Sequence, residues 1–348
     1  MGALFSFGAV VVLLLIPAIG AGALKMHSLF GVVIPYLAVV IFLGGLIYRV
    51  VGWGKVPVPF KIPTTCGQQK SLPWIKHSKL ESPATSWEVA ARMFLEVVLF
   101  RSLFRNLRTE KTPADRVVYA SSKWLWLGGI AFHYSFLIVF IRHLRFFKHP
   151  TPKFVSIIES FDGFLQIGSP HLFVTGLVLF GAAFYLFLRR VFVPAVRYIS
   201  LPADYFPLFL IMAIAGTGML MRYFWKVDII KVKELTLGLA TFNPTVPDGI
   251  GVIFYIHLFL VSALFAYFPF SKLVHLGGVF LSPTRNLANN SRMVYHPNPW
   301  NYPVKVHTYE EYEEEFRDKM IAVGIPVEKE PPKEEEEKAE TEETEGKE

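Results

Sequence analysis

Residues 249–278 form an apolar stretch, GIGVIFYIHLFLVSALFAYFPFSKLVHLGG, that is long enough to cross a lipid bilayer. His257 and His275 lie on this stretch, 18 residues apart. In one continuous helix, 18 residues make five whole turns, so both rings would point the same way, about 27 Å apart along the axis. Because ionisable groups at membrane depth are costly and usually functional, the spacing predicts two metal centres stacked across a membrane.

The composition of the chain supports a membrane location. Of the 348 residues, 53% are hydrophobic and 18% are charged, whereas a soluble protein carries about 25% charged residues. Five further apolar segments are long enough to span a bilayer, and they are 2–24, 29–51, 124–141, 172–193 and 205–223. The sequence therefore predicts an all-α membrane protein with six transmembrane helices. The first segment could also be a signal peptide, but no basic region precedes it, which favours a retained helix.

Cysteine content and charge narrow the classes of cofactor and partner. The single cysteine, Cys66, excludes an intramolecular disulfide, a four-thiolate iron–sulfur cluster and a c-type haem attached through two cysteines. A lone thiol in a polar loop is usually structural, although Cys66 could also lie against a cluster of a partner protein. The net charge of +7 is set among apolar helices, so it predicts basic segments that flank a membrane and no nucleic-acid binding.

Two more histidines belong to the third span. His133 is the only residue within 124–141 that titrates near neutral pH, and His143 follows ten residues later. The third and sixth spans run antiparallel, so His133 lies at the level of His275 and His143 at the level of His257. Two facing imidazoles are typical axial ligands of haem iron, whereas zinc and copper take three or four protein ligands. The pattern therefore predicts two b-type haems.

Each of these histidines has a plainer interpretation when it is considered alone. A single histidine in a membrane helix is often a hydrogen-bonded core residue, and His143 and His275 could be interfacial residues. The four histidines could also relay protons through a transporter or a channel, and a scaffold without cofactors is a further alternative. A reduced-minus-oxidised optical spectrum separates these classes, because neither alternative predicts a coloured protein.

The remaining segments divide the chain into five parts. They are two N-terminal transmembrane helices (1–51), a cytoplasmic loop with an amphipathic helix at 86–107 (52–120), a four-helix haem-binding membrane region (121–278), a cytoplasmic arm with a short helix (279–327) and a disordered acidic tail (328–348). The loop carries eleven Lys and Arg residues, which predicts that it and both termini are cytoplasmic. The amphipathic helix could lie on anionic headgroups or dock a soluble partner. We expect docking on 84–108, on the loop around Cys66 and on the arm 282–307.

Several stretches resemble known membrane cytochromes. The run Phe268–His275, with His257 eighteen residues before its end, resembles the last membrane helix of the respiratory nitrate reductase gamma subunit. The motif Arg189–Phe192, followed by Pro194 and Arg197, and the two histidines of the third span also resemble that family. Over a longer range the chain is similar to the DsrM family, the cytochrome b subunits of DsrMKJOP complexes of sulfite reduction, also described as Hdr-like menaquinol-oxidising enzymes. The stretches that carry this similarity are 63–74, 121–126 and 281–290.

The resemblance implies a five-helix core that holds two haem b groups. It implies that His133 pairs with His275 and that His143 pairs with His257 as axial ligands. Menaquinol would be oxidised to menaquinone near the outer haem, and electrons would pass to a cytoplasmic iron–sulfur subunit that resembles DsrK and heterodisulfide reductase. Other subunits similar to DsrJOP would complete a complex of the cytoplasmic membrane in dissimilatory sulfite or sulfate reduction. The chemistry of the final acceptor would lie in another subunit.

The resemblance does not identify the residues of the quinol site. The nitrate reductase gamma subunit has a lysine tied to quinol binding, and the corresponding region here, around 164–166, has none. A quinol oxidation site needs a proton acceptor near the donor oxygen and a route to water. The candidates that chemistry suggests are Arg142, Glu159, Asp162, His171 and Lys226. Glu159 and Asp162 could instead belong to a solvated helix, and Arg142 and His171 could be interfacial residues.

Overall fold

A computed structural model describes residues 2–56, 67–165, 167, 170–282, 284–295, 297, 303 and 305–329. In these residues six helices are long and apolar enough to cross a membrane, namely Gly2–Ala23, Leu29–Gly54, Lys123–Phe146, Val174–Phe192, Pro202–Tyr223 and Val252–Phe270. They confirm the six expected spans and the all-α membrane fold. The predictions for Cys66 and for most of the acidic tail concern residues outside the described ranges.

The described chain contains thirteen α-helices and one small β-hairpin. The helices are α1 (Gly2–Pro17), α2 (Ile34–Gly54), α3 (Ser86–Leu99), α4 (Arg101–Arg105), α5 (Lys123–His143), α6 (Lys153–Asp162), α7 (Val174–Phe192), α8 (Pro194–Ile199), α9 (Pro202–Tyr223), α10 (Ile229–Ala240), α11 (Val252–Tyr267), α12 (His275–Gly278) and α13 (Tyr309–Ala322). Wider π-helical turns at Ala18–Ala23 and Leu29–Val33 extend α1 and precede α2. The strands β1 (Leu107–Lys111) and β2 (Val117–Ser121) pair antiparallel.

The membrane helices belong to the compact unit Met1–His296, in which α9 is central. This helix packs against α1, α7 and α11, while α7 also packs on α5 and α11 also packs on α2. A core of Val10, Leu210 and Leu260 joins α1, α9 and α11. Within the described residues α5 and α11 are not closely packed on each other, since α7 and α9 connect them. The histidine-bearing helices are therefore separated by a gap that side chains reach across.

The prediction of one continuous helix over 249–278 is wrong. α11 ends at Tyr267, a 3-10 turn follows, and Ser271 is extended, with φ −114° and ψ 176°. Pro269 accounts for the break, because its ring has no N–H to donate and clashes with the preceding helical turn. His275 therefore begins a separate short helix, and the axial spacing of about 27 Å that holds for a continuous helix does not apply.

The amphipathic helix predicted at 86–107 is shorter and broken. α3 begins with a capping box at Thr85 and ends at Leu99, because Phe100 takes left-handed backbone angles, φ 50° and ψ 45°. Such angles are rare for a bulky residue, which adopts them only when its surroundings impose them. After the short α4 the chain forms the β-hairpin, which the hydrophobic pattern does not predict.

A second compact unit begins at Pro297, and its described helix α13 lies where the short helix of the arm is expected. The carboxylate of Glu313 accepts hydrogen bonds from the backbone amides of Glu328 at 2.7 Å and Lys329 at 2.9 Å. These bonds hold the pKa of Glu313 below its usual value. The finer division of the chain into five parts stays a prediction.

Candidate functional site

The structure brings the four histidines together as two pairs of facing rings. The ring centroids of His133 and His275 lie 5.9 Å apart, with the ring planes inclined by 83°. The centroids of His143 and His257 lie 6.3 Å apart, with the planes inclined by 14°. α5 supplies His133 near its middle and His143 at its end, and α12 and α11 supply their partners. This is the pairing that antiparallel spans predict, although the sixth span is broken.

Each of the four rings is held by a hydrogen bond at Nδ1. Three rings use backbone carbonyls of their own helical segment, and the contacts are His133 to Gly129 at 2.8 Å, His143 to Val139 at 2.7 Å and His275 to Lys272 at 2.8 Å. His257 uses the hydroxyl of Thr217 on α9, at 2.9 Å. A carbonyl only accepts, so Nδ1 carries the proton in those three rings and the lone pair of Nε2 is available to a metal.

The geometry of both pairs fits a haem iron between the rings. An imidazole–metal bond of about 2 Å on each side places the centroids of two axial rings roughly 6 Å apart. Each pair supplies the two axial ligands that a haem takes from protein. Within the described residues no group of three or more His, Cys, Asp or Glu side chains is placed to hold a metal ion. The rings of His133, His143 and His275 are exposed and His257 is half-buried, so they are accessible to a porphyrin.

Next to His143, two arginines of the third span pair with the carboxylates of α6. Arg142 lies 3.0 Å from Asp162, and both side chains are buried. Asp162 also accepts hydrogen bonds from the amide and the hydroxyl of Thr175, at 2.7 and 2.6 Å. Arg145 donates to Glu159 at 2.8 Å. These two pairs fix α6 against the end of α5, while Lys153, Ser156 and Ser160 on the same helix are exposed.

A second cationic group meets Arg142 around the ring of Phe173. The guanidinium carbons of Arg142 and Arg222 both lie 3.8 Å from the centroid of this ring. Arg222 donates to the backbone carbonyl of His171 at 3.0 Å, and Tyr223 accepts from the amide of Phe173 at 2.9 Å. Sequence reasoning misses Arg222 and Tyr223, because a basic and an aromatic residue at the end of a span are typical of interfacial anchors.

The five quinol-site candidates thus differ in their placement. Arg142, Asp162 and Glu159 gather at the end of α5, and His171 joins them through its backbone. Lys226 is exposed and has no ion pair among the described residues. The structure therefore brings four of the five candidates to the same end of α5 as His143, and no contact among the described residues joins Lys226 to them.

Residues 67–122, which we call the platform, pack on the half of α5 that carries His133. The indole of Trp126 and the hydroxyl of Tyr134 donate to the last carbonyls of α3, both at 2.8 Å. Carbonyls at a helix end lack partners within the helix, so these bonds anchor α3 to α5. The ring of Phe100 then meets the ring of His133 edge-on, with centroids 5.0 Å apart. The platform therefore touches one histidine pair directly.

The helix α3 turns charged residues inward and apolar residues outward. Glu96 is 7% exposed, accepts from the Ser102 amide at 3.1 Å and lies 3.6 Å from Arg285 of the arm. Trp87 and Phe94 are 86% and 61% exposed. The outward stripe is available to lipid or to another protein, which agrees with both interpretations of the amphipathic helix.

The platform also carries a basic concave surface of about 760 Å³. The cationic residues that line it are Lys70, Lys76, Lys79, Arg101 and Arg105. Glu81 pairs with Arg101 at 2.5 Å and also with Arg105, which holds α4 against the preceding loop. Among the described residues none of the three lysines is in an ion pair. This basic surface is therefore suited to an acidic partner.

Comparison with known proteins identifies a family and several relatives that are similar to this chain over its membrane helices. Residues 87–296, which include all four paired histidines, match the family model of the nitrate reductase gamma subunit. The chain is 50% identical over 280 residues to an Hdr-like menaquinol oxidoreductase cytochrome b-like subunit of Archaeoglobus fulgidus, which covers 78% of this chain and 83% of that protein.

Two further relatives extend the comparison. The protein of the same description from Archaeoglobus profundus is 42% identical over 275 residues, covering 77% of this chain and 81% of that protein. The respiratory nitrate reductase 1 gamma chain of Escherichia coli K12 is 29% identical over 172 residues, covering 45% of this chain and 73% of that protein. The likeness to the two archaeal proteins thus spans most of each chain.

Proposed function

The chain belongs to the nitrate reductase gamma subunit family, and we propose that it takes electrons from menaquinol and passes them through two haem b groups to a cytoplasmic iron–sulfur subunit. It is a multi-pass membrane protein and a cytochrome b-like subunit of the menaquinol-oxidising type. The proposal also includes the number of haems and their ligands, the partner subunits, a location in the cytoplasmic membrane and a role in sulfite or sulfate reduction.

The two facing histidine pairs carry this proposal. His133 with His275 and His143 with His257 would each hold one haem iron between their rings, and every Nδ1 is already hydrogen-bonded. Hydrogen bonds at Nδ1 fix the ring and raise the basicity of the ligand. A bound haem supplies one-electron chemistry at its iron. A proton relay, as in a transporter or channel, would need titratable groups in hydrogen-bonded sequence, which isolated facing pairs do not supply.

We assign quinol oxidation to the end of α5 that carries His143. The proposed residues are Arg142, Glu159, Asp162, His171 and Lys226. Asp162 is saturated by Arg142 and Thr175, so its role is to position α6. Glu159 is half-buried with Arg145 as its partner, so it is the better proton acceptor for a quinol. His171 contributes through its carbonyl, and exposed Lys226 would face the water into which protons leave.

Electrons leave at the other end, where the platform meets His133. A basic surface there supports docking of an acidic face of the iron–sulfur subunit, which would resemble DsrK and heterodisulfide reductase. The loop around Cys66 and the arm 282–307 complete the proposed contacts with this and DsrJOP-like subunits. The positive charge of the platform supports a cytoplasmic location for it and for both termini.

An optical redox titration of the purified protein tests the proposal. We expect the α band of b-type haem and two redox transitions. Replacing His143 or His257 with Ala should remove one haem, and replacing His133 or His275 should remove the other. His149→Ala, a change outside both pairs, is the matched control and should keep both haems. A colourless protein, or four replacements that leave the spectrum unchanged, would overturn the assignment.

A further inference from the structure

The ring of His257 is held by a neighbouring helix, unlike the other three rings. Its Nδ1 lies 2.9 Å from the hydroxyl oxygen of Thr217, and this oxygen lies 2.8 Å from the carbonyl oxygen of Ala213. A relay in which Nδ1–H donates to the hydroxyl, and the hydroxyl donates to the carbonyl, satisfies both donors. Thr217 is 8% exposed, so water does not compete for these bonds.

The ring of His257 lies against α9. A Cβ on Gly218 would be in ordinary van der Waals contact with this ring, 3.4 Å from Cε1, so the imidazole packs next to α9 at this position. His133 and His143 bond to the carbonyl four residues earlier in their own helix. Those carbonyls are part of the backbone. His257 also faces one backbone carbonyl, that of Ile214 on α9, but the Thr217 hydroxyl is a side-chain partner that substitution can remove.

We propose that Thr217 is a positioning residue that sets both the orientation of the His257 ring and the strength of its bond to a haem iron. The inference rests on the proposed function, because it requires a haem between His143 and His257. An acceptor at Nδ1 makes the imidazole a stronger donor to the metal and stabilises ferric iron. The hydroxyl is a better acceptor because it donates to Ala213. The reduction potential of one haem therefore depends on Thr217, and that of the other does not.

Replacement of Thr217 by Val and by Ser tests this inference. Valine keeps the shape but removes the acceptor, so the potential of one haem should become more positive. We expect about a tenfold change in its ferric-to-ferrous ratio at fixed ambient potential, about 59 mV for a one-electron couple. Serine keeps the hydroxyl and should restore the wild-type potential. The haem held by His133 and His275 serves as the internal reference and should not shift.

The electron paramagnetic resonance spectrum of the ferric protein gives a second reading that does not depend on activity. Thr217→Val should change only the signal of the haem between His143 and His257, because that ring loses its anchor. Ser262→Ala is the matched control. The Ser262 hydroxyl is buried and bonds to Leu258 on α11 in the same way, at 2.8 Å, yet within the described part of the chain no hydrogen bond joins it to the paired rings.

The possible outcomes separate this inference from the proposed function. A wild-type protein without two haems contradicts the proposed function itself. Two haems with unchanged potentials and spectra in Thr217→Val, or an equal shift in Thr217→Ser, overturn the role of Thr217. Loss of only the His257 haem in Thr217→Val, with retention in Thr217→Ser, supports it. If Thr217→Val does not fold, Thr217→Ala decides, and a wild-type potential in that variant overturns the inference.

Discussion

The two histidine pairs differ most in the angle between their rings. The planes of His143 and His257 are inclined by 14°, and those of His133 and His275 by 83°. Nearly parallel axial rings act on the same iron d orbital, whereas perpendicular rings act on two different ones. The same ligand set is therefore expected to give two electronically distinct haems.

We expect two separate low-spin ferric signals in the electron paramagnetic resonance spectrum. The haem between the nearly parallel rings of His143 and His257 should give a rhombic signal. The haem between the nearly perpendicular rings should give a strongly anisotropic signal at high g value, and His133→Ala should abolish only that one. Two identical signals would contradict the ring geometry.

The ion pair of Arg142 and Asp162 gives a prediction for stability. Both side chains are buried, and Asp162→Asn would leave the guanidinium without its counter-charge. Loss of one partner of a buried pair costs about 3–5 kcal/mol, so the haem spectrum should be lost at a lower temperature. Glu159→Gln is the control, because the pair with Arg145 is more exposed and such pairs contribute about 0–1 kcal/mol. Equal effects in both variants would contradict this difference.

Among the elements, α2 holds the break in the sixth span in place. A Cβ on Gly45 would lie 2.7 Å from Cβ of Pro269 and 3.0 Å from the ring of Phe270. Further along α2, the indole of Trp53 lies 3.5 Å from the position of a Cβ on Gly278. The start of α12, and with it His275, therefore depends on the close approach of α2.

Substitution of two adjacent glycines tests this dependence. Gly45→Leu should push the Pro269 turn away from α2 and weaken the haem of His133 and His275, as measured by the haem-to-protein ratio. Gly44→Leu adds the same side chain where nothing lies within 4 Å, so it should keep both haems. If the two variants retained the same haem content, α2 would have no part in placing His275.

The elements also show what the sequence can and cannot predict. Long apolar runs are enough to predict the six spans. The alternating direction of successive spans is enough to predict that His143 faces His257. Pro269 is a sequence signal for the break in the sixth span. The break is missed when the spacing of His257 and His275 is calculated for a continuous helix. The left-handed Phe100 and the pairing of Arg142 with Asp162 depend on tertiary contacts that no local pattern encodes. Haem ligation by the four histidines stays a prediction.

At the scale of the whole molecule, the two ends of α5 have different surroundings. The end with His143 is enclosed by α6 and by paired arginines and carboxylates. The half with His133 carries the platform, whose three lysines make no ion pair with any described residue. This asymmetry fits the proposed electron flow, from a quinol at the first end to a partner protein at the second.

Charge reversal on the platform tests the docking part of this scheme. The combined change of Lys70, Lys76 and Lys79 to Glu should release the iron–sulfur subunit during purification, more so at high salt. The haem spectrum and its reduction by menaquinol should stay as in the wild type. Lys148→Glu, an exposed change at the other end of α5, should not release the subunit. Full retention in the triple variant would rule out this surface as the dock.

The anchoring of α3 to α5 has a mechanical consequence. Trp126 and Tyr134 tie the last turn of α3 to the half of α5 that carries His133. A displacement of α3, such as the pull of a large attached protein, would therefore act first on this half of α5. The outward apolar stripe of α3, with Trp87 and Phe94, is the side that would face the bilayer.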